Sequence, residues 1–480
     1  MKKYIKIAWR NLKRNRGRTI ITISAVTFAT FFALVMRSFQ LGAYDNMINN
    51  FVEMSSGFVI IEHPNYENDP ILENTIIQSQ KTEDIILKQK NVKEILPKLS
   101  YFALGSYHTQ TKGVLINGID TEKQNKVSKI SDKLVKFRLT PDALTKLKPE
   151  VNSEVYDKLL KLKGKSYTSI NYFLKTLKTD KENTTLKALL EKYTGYPGRY
   201  LTPGDEGVVV GSKLAEYLNL NTGDTLVLLG SGFRAVTAAD KFPIRGIVQI
   251  PNPKLDRTIV YSSLVNVQDF LSASYTDTET GEEKFLLNSY ALDLYDRSEE
   301  GIKETKKALT ASLISKELTV KTWKESNKVL AQQIESDDKG GQMILWILYI
   351  VIAFGIFGTV LMMTAERKRE MGVMIAIGMK KIKLSVMIAF ELFFLGLIGV
   401  LSGMALSAPL IILGYYRPIT LTGEAAESMR QMGFEPKMPT AWFGDYMIDQ
   451  AIVVLVILII VSIYPLISIR KLKVSNALRS

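Results

Sequence analysis

The stretch from Gln342 to Met379 reads QMILWILYIVIAFGIFGTVLMMTAERKREMGVMIAIGM. Its first part, 342–365, carries no charge and is long enough to cross a bilayer, because a spanning helix needs about 20 predominantly apolar residues. A charged cluster at 366–370 follows, and then a second, shorter apolar stretch that closes at Gly378. A simple connection between two spans does not need that second apolar surface.

Three further stretches fit a bilayer by the same criterion, and the sequence therefore predicts four transmembrane helices. They are 19–41, 384–415 and 450–469, in addition to 342–365. Residues 42–341 lie between the first two spans and are numerous enough for a separate domain. Mixed strand-like and helical patterns predict an α+β fold for this domain, with a lysine-rich helical insert at about 121–192.

The distribution of charge indicates the orientation in the membrane. The net charge is +14, and the segments 1–18, 366–383 and 470–480 together hold 18 basic and 2 acidic residues. By the positive-inside rule, both termini and the loop after the second span are cytoplasmic. The large α+β domain and the loop 416–449 are then extracytoplasmic, in a multi-pass protein of the cell inner (plasma) membrane. The basic excess is explained by topology, and no nucleic-acid partner is expected.

Two segments next to the spans have patterns of their own. Residues 1–18 place apolar side chains at helical spacing among basic ones, which is typical of an amphipathic helix on the inner membrane surface. A weak apolar stripe in 325–338 predicts a helical stalk that leads into the second span. Gly340 and Gly341 at its junction with the span are either a hinge or a simple loosening at the membrane surface.

No motif for catalysis is found. The chain has no cysteine and only two histidines, His63 and His108, so a thiolate or multi-histidine metal site is not expected. A phosphate-binding loop needs Gly, four residues, and then Gly-Lys-Ser/Thr. The nearest approach is Gly164-Lys165-Ser166, where Leu159 replaces the first glycine. We therefore expect no catalytic residues, no metal and no cofactor, and any use of ATP would need a separate partner chain.

The segment 366–379 is the strongest candidate for an interaction site. An exposed apolar patch rimmed by charge commonly marks an interface, so we predict a short helix that docks into a cytoplasmic partner. The alternative is a linker that packs on its own helix bundle.

The third span holds the one ionisable group that lies well inside a predicted span. Glu391 lies about two turns into it, and an intramembrane charge is a functional candidate by default. The alternative is that Glu391 lies near the inner interface and pairs with a nearby basic residue. Small residues in the same span, Gly396, Gly399 and Gly403, predict close packing between helices.

The docking segment carries a resemblance to a known family. Glu366-Arg367-Lys368-Arg369-Glu370-Met371-Gly372, followed by Ala376-Ile377-Gly378, resembles the coupling helix of the MacB/FtsX/LolE superfamily of ABC transporter permeases. The stretches 8–12, 209–215 and 474–479 resemble the N-terminal helix, the external core and the C-terminal ending of the same superfamily. In architecture the chain is most similar to the LolC/LolE lipoprotein-releasing permeases. Its connection at 230–241, however, lacks the long, proline-bearing loop by which one of those subunits recruits a carrier.

The resemblance implies a non-catalytic permease subunit that transmits ATPase-driven motion to a periplasmic domain and releases lipoproteins from the inner membrane. Two alternatives stay open, a MacB-like efflux permease for peptides or toxins and an FtsX-like regulator of a cell-wall hydrolase. The implied partners are a cytoplasmic ABC ATPase, a second permease copy or paralogue, and a periplasmic lipoprotein carrier or adaptor. The implied ATPase-docking residues are Glu366, Arg367, Arg369, Glu370, Met371, Gly372, Ala376, Ile377 and Gly378.

Overall fold

The computed structural model describes residue 10 and residues 16–55, 57–177, 184–313, 318–421, 423–426, 429 and 436–471. The chain divides into two compact units. One, the membrane unit, comprises residues 1–47, 332–422 and 436–480; the other, the large domain, comprises 48–331 and 423–435. The expected amphipathic helix at 1–18 lies almost wholly outside the described residues, as does the tail from 472 onward.

The described helices are named here in chain order. They are α1 Arg16–Ser55, α2 Gln80–Leu87, α3 Thr121–Ser128, α4 Pro141–Leu147, α5 Ser153–Leu160, α6 Ile170–Thr176, α7 Thr184–Thr194, α8 Ser212–Leu218, α9 Pro253–Asp256, α10 Leu264–Phe270, α11 Glu299–Leu313, α12 Trp323–Ser326, α13 Lys328–Glu366, α14 Lys368–Ala376, α15 Lys381–Tyr416 and α16 Asp445–Lys471.

The described strands form one large sheet and three small ones. They are β1 Val59–Glu62, β2 Ile76–Ile77, β3 Val92–Tyr107, β4 Gln110–Ile119, β5 Phe137–Arg138, β6 Ser166–Tyr167, β7 Val208–Gly211, β8 Thr225–Ser231, β9 Thr237–Val248, β10 Ile259–Ser263, β11 Ser274–Thr276, β12 Glu283–Leu287, β13 Ser289–Leu294, β14 Thr319–Thr322, β15 Ile419–Thr420 and β16 Lys437–Met438. The large sheet has nine strands in the order β14-β1-β13-β3-β4-β10-β7-β9-β8.

Four of the helices, α1, α13, α15 and α16, are long and apolar enough to cross a membrane. Each of the four expected spans lies inside one of them. Together with the α+β architecture of the large domain, this confirms the predicted fold class of a membrane α-helical protein with a large extracytoplasmic α+β domain.

The glycines of the third span bring helices of the membrane unit close together, as predicted. A Cβ atom on Gly399 would lie 2.6 Å from Val26 on α1, and one on Gly403 would lie 2.6 Å from Thr30. A Cβ atom on Gly396 would lie 2.8 Å from Leu458 on α16. Real side chains do not tolerate such distances, so α15 can approach both neighbours closely only because these positions lack a side chain.

The second span and the segment before it form one continuous helix, α13, which stays helical through Gly340 and Gly341. The structure therefore shows neither a break nor a loosening at this junction. Gly341 has a packing role instead, because the side-chain amide of Gln40 on α1 occupies the place of its missing Cβ atom.

A buried carboxylate organises the stretch 209–215 in the large domain. Asp256 is 1% exposed and accepts hydrogen bonds from the backbone N–H groups of Ser212, Lys213 and Ile250, at 3.0 Å each. The bonds from Ser212 and Lys213 satisfy donors at the start of α8 that have no partner within the helix. Gly211 is required beside it, because a Cβ atom there would lie 2.2 Å from the Asp256 carbonyl oxygen.

The lysine-rich insert has a hydrophobic core of its own. Helices α4 to α7 pack around buried residues such as Phe173, Leu174 and Leu190. A two-residue antiparallel ladder between β5 and β6, which the sequence pattern does not predict, ties the segment together. The connection predicted at 230–241 is shorter than expected, because β8 and β9 pair up to Ser231 and Thr237.

Candidate functional site

The predicted docking segment is a short helix, α14, between the second and third spans. Arg367 separates it from α13, with φ −89° and ψ 3°. At its other end Gly378 has φ +100°, and the backbone N–H groups of Gly378 and Met379 donate to the carbonyls of Ile375 and Met374. Glycine adopts a positive φ at little cost, so Gly378 ends the helix and lets the chain turn into α15.

This helix has a buried face and an exposed face. Met371 is 3% exposed and packs in the hydrophobic core of the membrane unit, and Gly372 beside it is buried. By contrast, Val373 is 40% exposed and Ile377 is 82% exposed. The segment is thus held to its own bundle on one side and presents apolar surface on the other.

The nine predicted docking residues divide between these faces. Arg367, Met371 and Gly372 are buried within the chain's own bundle. The remaining six are exposed, namely Glu366, Arg369, Glu370, Ala376, Ile377 and Gly378. Arg367 and Met371 lie one helical turn apart on the buried face. Spacing alone does not separate the two groups, because Gly372 is buried whereas Ala376, one turn later, is exposed.

Glu391 pairs with Arg367, the basic partner that the second alternative for the intramembrane charge calls for, whereas its location near the inner interface stays a prediction. The Arg367 Nη1 donates to Glu391 Oε1 at 2.6 Å, and the two side chains are 5% and 3% exposed. The two residues are 24 positions apart, so the sequence alone does not indicate that they pair. Only the return of α15 alongside the end of α13 brings them together.

Arg367 also reaches the exposed face of α14. Its Nε lies 3.5 Å from Glu370 Oε2, and the Glu370 side chain is 46% exposed. The other oxygen of Glu391, Oε2, is buried and has no hydrogen-bond partner among the described residues. One guanidinium therefore connects a carboxylate at the surface of the segment with a carboxylate inside the bundle.

Other buried polar groups of the membrane unit bond either within their own helix or to a neighbouring one. Thr30 donates to the carbonyl of Val26, and Thr364 donates to that of Val360. Tyr349 on α13 hydrogen-bonds Gln450 on α16 and so joins two spans. These groups stabilise helices and helix pairs, and their side chains are already engaged.

Over the residues that the structure describes, no group of three or more His, Asp and Glu side chains lies close enough to hold a metal ion. His63 follows β1, and His108 lies in the turn between β3 and β4. What the membrane unit offers is a partly apolar, charge-rimmed surface on α14 and a buried ion pair directly behind it.

Residues 343–474 match the family described as FtsX-like permease C-terminal. This FtsX-like segment contains α14, the ion pair of Arg367 and Glu391, and nearly all of the second, third and fourth spans. The docking segment identified from sequence thus lies within the matched region.

Two solved structures are similar to the chain. The periplasmic region of MacB from Actinobacillus actinomycetemcomitans is 13% identical, with 59% of this chain and 94% of that chain covered and a TM-score of 0.30. The extracellular domain of the noncanonic ABC-type transporter YknZ from Gram-positive bacteria is 12% identical, with 55% and 99% covered and a TM-score of 0.28. Among curated proteins, no significant match to this chain is found.

Proposed function

We propose that this chain is the permease subunit of an ABC-type transporter in the cell inner membrane. A cytoplasmic ATPase binds the exposed face of α14, and its motion is transmitted to the large extracytoplasmic domain. The observation that carries the proposal is the two-faced docking segment. Met371 and Gly372 anchor it in the bundle, whereas Val373 and Ile377 are left exposed.

The exposed face has the composition of a protein interface. Ile377 supplies an apolar anchor, since it is 82% exposed in the part of the chain that the structure describes. Arg369 and Glu370 add charges of both signs at its edge. Interfaces concentrate their binding energy in a few central anchors, and charges at the rim contribute mainly to specificity and association rate.

The lengths of two helices support the transmission of force. Helix α1 has 40 residues and α13 has 39. At about 1.5 Å per residue each is about 60 Å long, roughly twice the hydrocarbon thickness of a bilayer. Helices of this length continue well beyond the membrane without a break, so a displacement at one end is carried along the backbone.

Three buried polar groups of the bundle fit a mechanical role better than a solute channel. The buried hydroxyls of Thr30 and Thr364 bond to carbonyls of their own helices, and the charge of Glu391 is paired. A path for a polar solute needs polar groups that face a water-filled cavity.

The specific form of the proposal is the release of lipoproteins from the outer leaflet of the inner membrane, by a dimer of this chain with a second copy or paralogue. A substrate that is handled at the membrane surface does not need a polar path between the spans. Export of peptides or toxins and regulation of a cell-wall hydrolase are the other outcomes of the test. Affinity purification from native membranes discriminates them, because a lipoprotein carrier, a periplasmic adaptor or a hydrolase would accompany the chain.

The docking role is tested with Arg369→Glu combined with Ile377→Arg. Both side chains are exposed, so the bundle should fold normally while co-purification of the ATPase is lost. The matched control is Lys163→Glu with Val265→Arg, the same pair of changes on exposed residues of the large domain. Retention of the ATPase by the first variant at the level of the control would refute the docking role.

The topology is tested with single cysteines, since the natural chain contains none. In spheroplasts, an impermeant maleimide should label Lys163→Cys from outside and Ala376→Cys only after permeabilisation. Labelling of both from the same side would end the proposal, because the docking segment and the large domain would then share a compartment.

A further inference from the structure

We propose that Arg367 is a positioning residue that couples the docking surface of α14 to the third span, by holding the exposed carboxylate of Glu370 and the buried carboxylate of Glu391 at the same time. This inference rests on the proposed function, because it says how binding of the ATPase reaches the membrane helices. It gives Arg367 a role different from direct contact with the partner.

The first step is the location of Arg367. It lies at the junction of α13 and α14 and is 4% exposed, so its guanidinium is not available to a docking protein. Nevertheless it lies within one helical turn of Glu370, whose side chain is 46% exposed on the docking face. The residue thus connects the surface that a partner would touch with the interior of the bundle.

The second step is the asymmetry of its two contacts. The contact with Glu391 measures 2.6 Å between Nη1 and Oε1, whereas the contact with Glu370 measures 3.5 Å between Nε and Oε2. The contact with Glu391 is single, because Glu391 Oε2 is buried with no hydrogen-bond partner among the described residues. A guanidinium carries five N–H donors and binds a carboxylate most strongly through two parallel bonds.

The third step is the consequence of docking. A basic side chain of the ATPase that pairs with the Glu370 carboxylate weakens the contact between Glu370 and Arg367. The guanidinium then closes on Glu391 with two bonds and satisfies the unpartnered oxygen. Because Arg367 directly precedes α14 and Glu391 lies within α15, this closure draws the docking helix against the third span. By thermodynamic linkage, closure of the ion pair also strengthens docking.

The fourth step is how the movement continues. Helix α15 runs without interruption from Lys381 to Tyr416. Gly399 and Gly403 hold it in close contact with α1, and Gly396 does the same with α16. Tightly packed helices do not deform continuously, so a displacement near Glu391 shifts neighbouring spans together.

The test measures the distance between α14 and α15 in the full chain, reconstituted in nanodiscs with its co-purified ATPase. Spin labels are placed at Lys368→Cys on α14 and Phe393→Cys on α15, which are exposed positions outside the nine docking residues in a chain without natural cysteine. Pulsed electron paramagnetic resonance spectroscopy then measures the distribution of distances between the two labels with and without a non-hydrolysable ATP analogue. The background variants are Glu391→Gln, Glu370→Gln, and the exchange of Arg367→Glu with Glu391→Arg. The matched control is Ser385→Ala, which removes another buried polar group from α15.

We expect the nucleotide to shift the distance in the unmodified background and in Ser385→Ala. In Glu391→Gln the shift should be lost even at saturating ATPase, and the affinity for the ATPase should fall, because closure of the ion pair no longer strengthens docking. Glu370→Gln should reduce the shift, and the exchange of charges should restore it. A normal shift in Glu391→Gln would overturn the proposal. So would a well-folded charge-exchange variant, with unchanged thermal unfolding, that fails to recover the shift.

Failure of the proposed function has a different signature. If the unmodified chain binds no ATPase, docking itself is wrong, and the positioning role is then decided by the mobility of the single label at Lys368→Cys in the chain alone. Anchoring by the ion pair predicts an immobile label that Glu391→Gln mobilises and that the charge exchange immobilises again. Equal mobility in all three would overturn the role of Arg367 as well.

Discussion

Arg37 on α1 donates a 2.6 Å hydrogen bond from Nη1 to Asp338 Oδ1 on α13, across 301 residues of sequence. The two side chains are 17% and 30% exposed, so the ion pair is partly shielded from water. Gln40 accepts a second bond from Arg37 Nη1 at 2.9 Å, and its amide fills the space that Gly341 leaves open. This cluster joins the first and second spans, and it does so near the end opposite to α14.

Removal of Asp338 should therefore loosen the pair of helices. We expect Asp338→Asn to lower the free energy of unfolding of the membrane unit by about 1.5–3 kcal/mol, because hydrogen bonds to charged groups contribute about that much. Thermal unfolding in detergent measures the effect, and a double-mutant cycle with Arg37→Met isolates the pairwise part. Lys339→Met is the control, since its pair with Glu335 is 70% and 66% exposed. An equal loss in the control would contradict the assignment.

A side chain at Gly399 should separate α15 from α1. A Cβ atom there would lie 2.6 Å from Val26 and 3.2 Å from the carbonyl oxygen of Ile23, and backbone cannot move aside as a flexible side chain can. We expect Gly399→Ala to destabilise the membrane unit by about 1–3 kcal/mol, as overpacked cores do. Gly358→Ala is the matched control, because nothing lies within 4 Å of its Cβ position. If the two variants unfold at the same temperature, the close-packing role of Gly399 is ruled out.

A buried carboxylate in the large domain should give a measurable acid dependence. Asp205 is 3% exposed and pairs with Arg199 at 2.6 Å and Arg245 at 2.8 Å. Burial raises the pKa of Asp205, but the hydrogen bonds from Arg245 and from the Gly207 N–H outweigh it and hold the pKa below its usual value. We expect Asp205→Asn to cost about 2 kcal/mol at pH 7, less than a fully buried pair because both arginines are partly exposed.

The sign of the pH effect follows from the direction of that shift. A carboxyl whose pKa is lowered by folding stabilises the protein above its ordinary pKa and loses the contribution as pH falls through the lowered value. The difference between the natural chain and Asp205→Asn should therefore be constant near neutrality and shrink below about pH 4. Asp142→Asn is the control, since Asp142 is 73% exposed in its pair with Lys146. A difference that persists unchanged in acid would contradict the role of the charge.

Because of Lys98, the stability of the large domain should rise as the pH increases from about 8 into mild alkali. It lies in β3 and is 3% exposed, and burial lowers the pKa of its ammonium group from 10.5 to about 8. Between those two values the unfolded chain binds more protons than the folded chain, so stability rises with pH. From pH 8 to 9.5 the gain should be about 1–2 kcal/mol, and Lys98→Met should abolish it. Chemical unfolding at several pH values is the measurement, and a flat profile in the natural chain would disprove the shift.

The membrane helices and the docking segment were accessible to sequence reasoning because their signals are local. These signals are a run of about twenty apolar residues, a basic flank, and a charged cluster before a short apolar stretch. Each can be recognised without knowing which residues are its neighbours in space. The packing role of Gly396, Gly399 and Gly403 followed from composition in the same way. By contrast, the β5–β6 ladder consists of two residues per strand, which is too short to show a periodicity.

The buried ion pairs and the division of α14 into two faces required the folded structure. Arg367 belongs to the charged cluster and is indistinguishable in sequence from Arg369 two residues later, yet one is buried and the other exposed. Their different surroundings are created by α15, which returns past the end of α13 and brings Glu391 within 2.6 Å of Arg367.

The sequence by itself thus determined the fold class of this protein and its four apolar spans, and it predicted a place where a partner would bind. These depend on hydrophobicity and charge along the chain, which the bilayer sorts directly. Only the tertiary structure decided which side chains of the docking segment face outward, and which carboxylate holds Arg367, Arg37 or Arg199. An ion pair forms between groups that folding brings within a few ångströms of each other. The paired residues here are 24 and 301 positions apart in sequence, and such separations do not indicate which residues will meet.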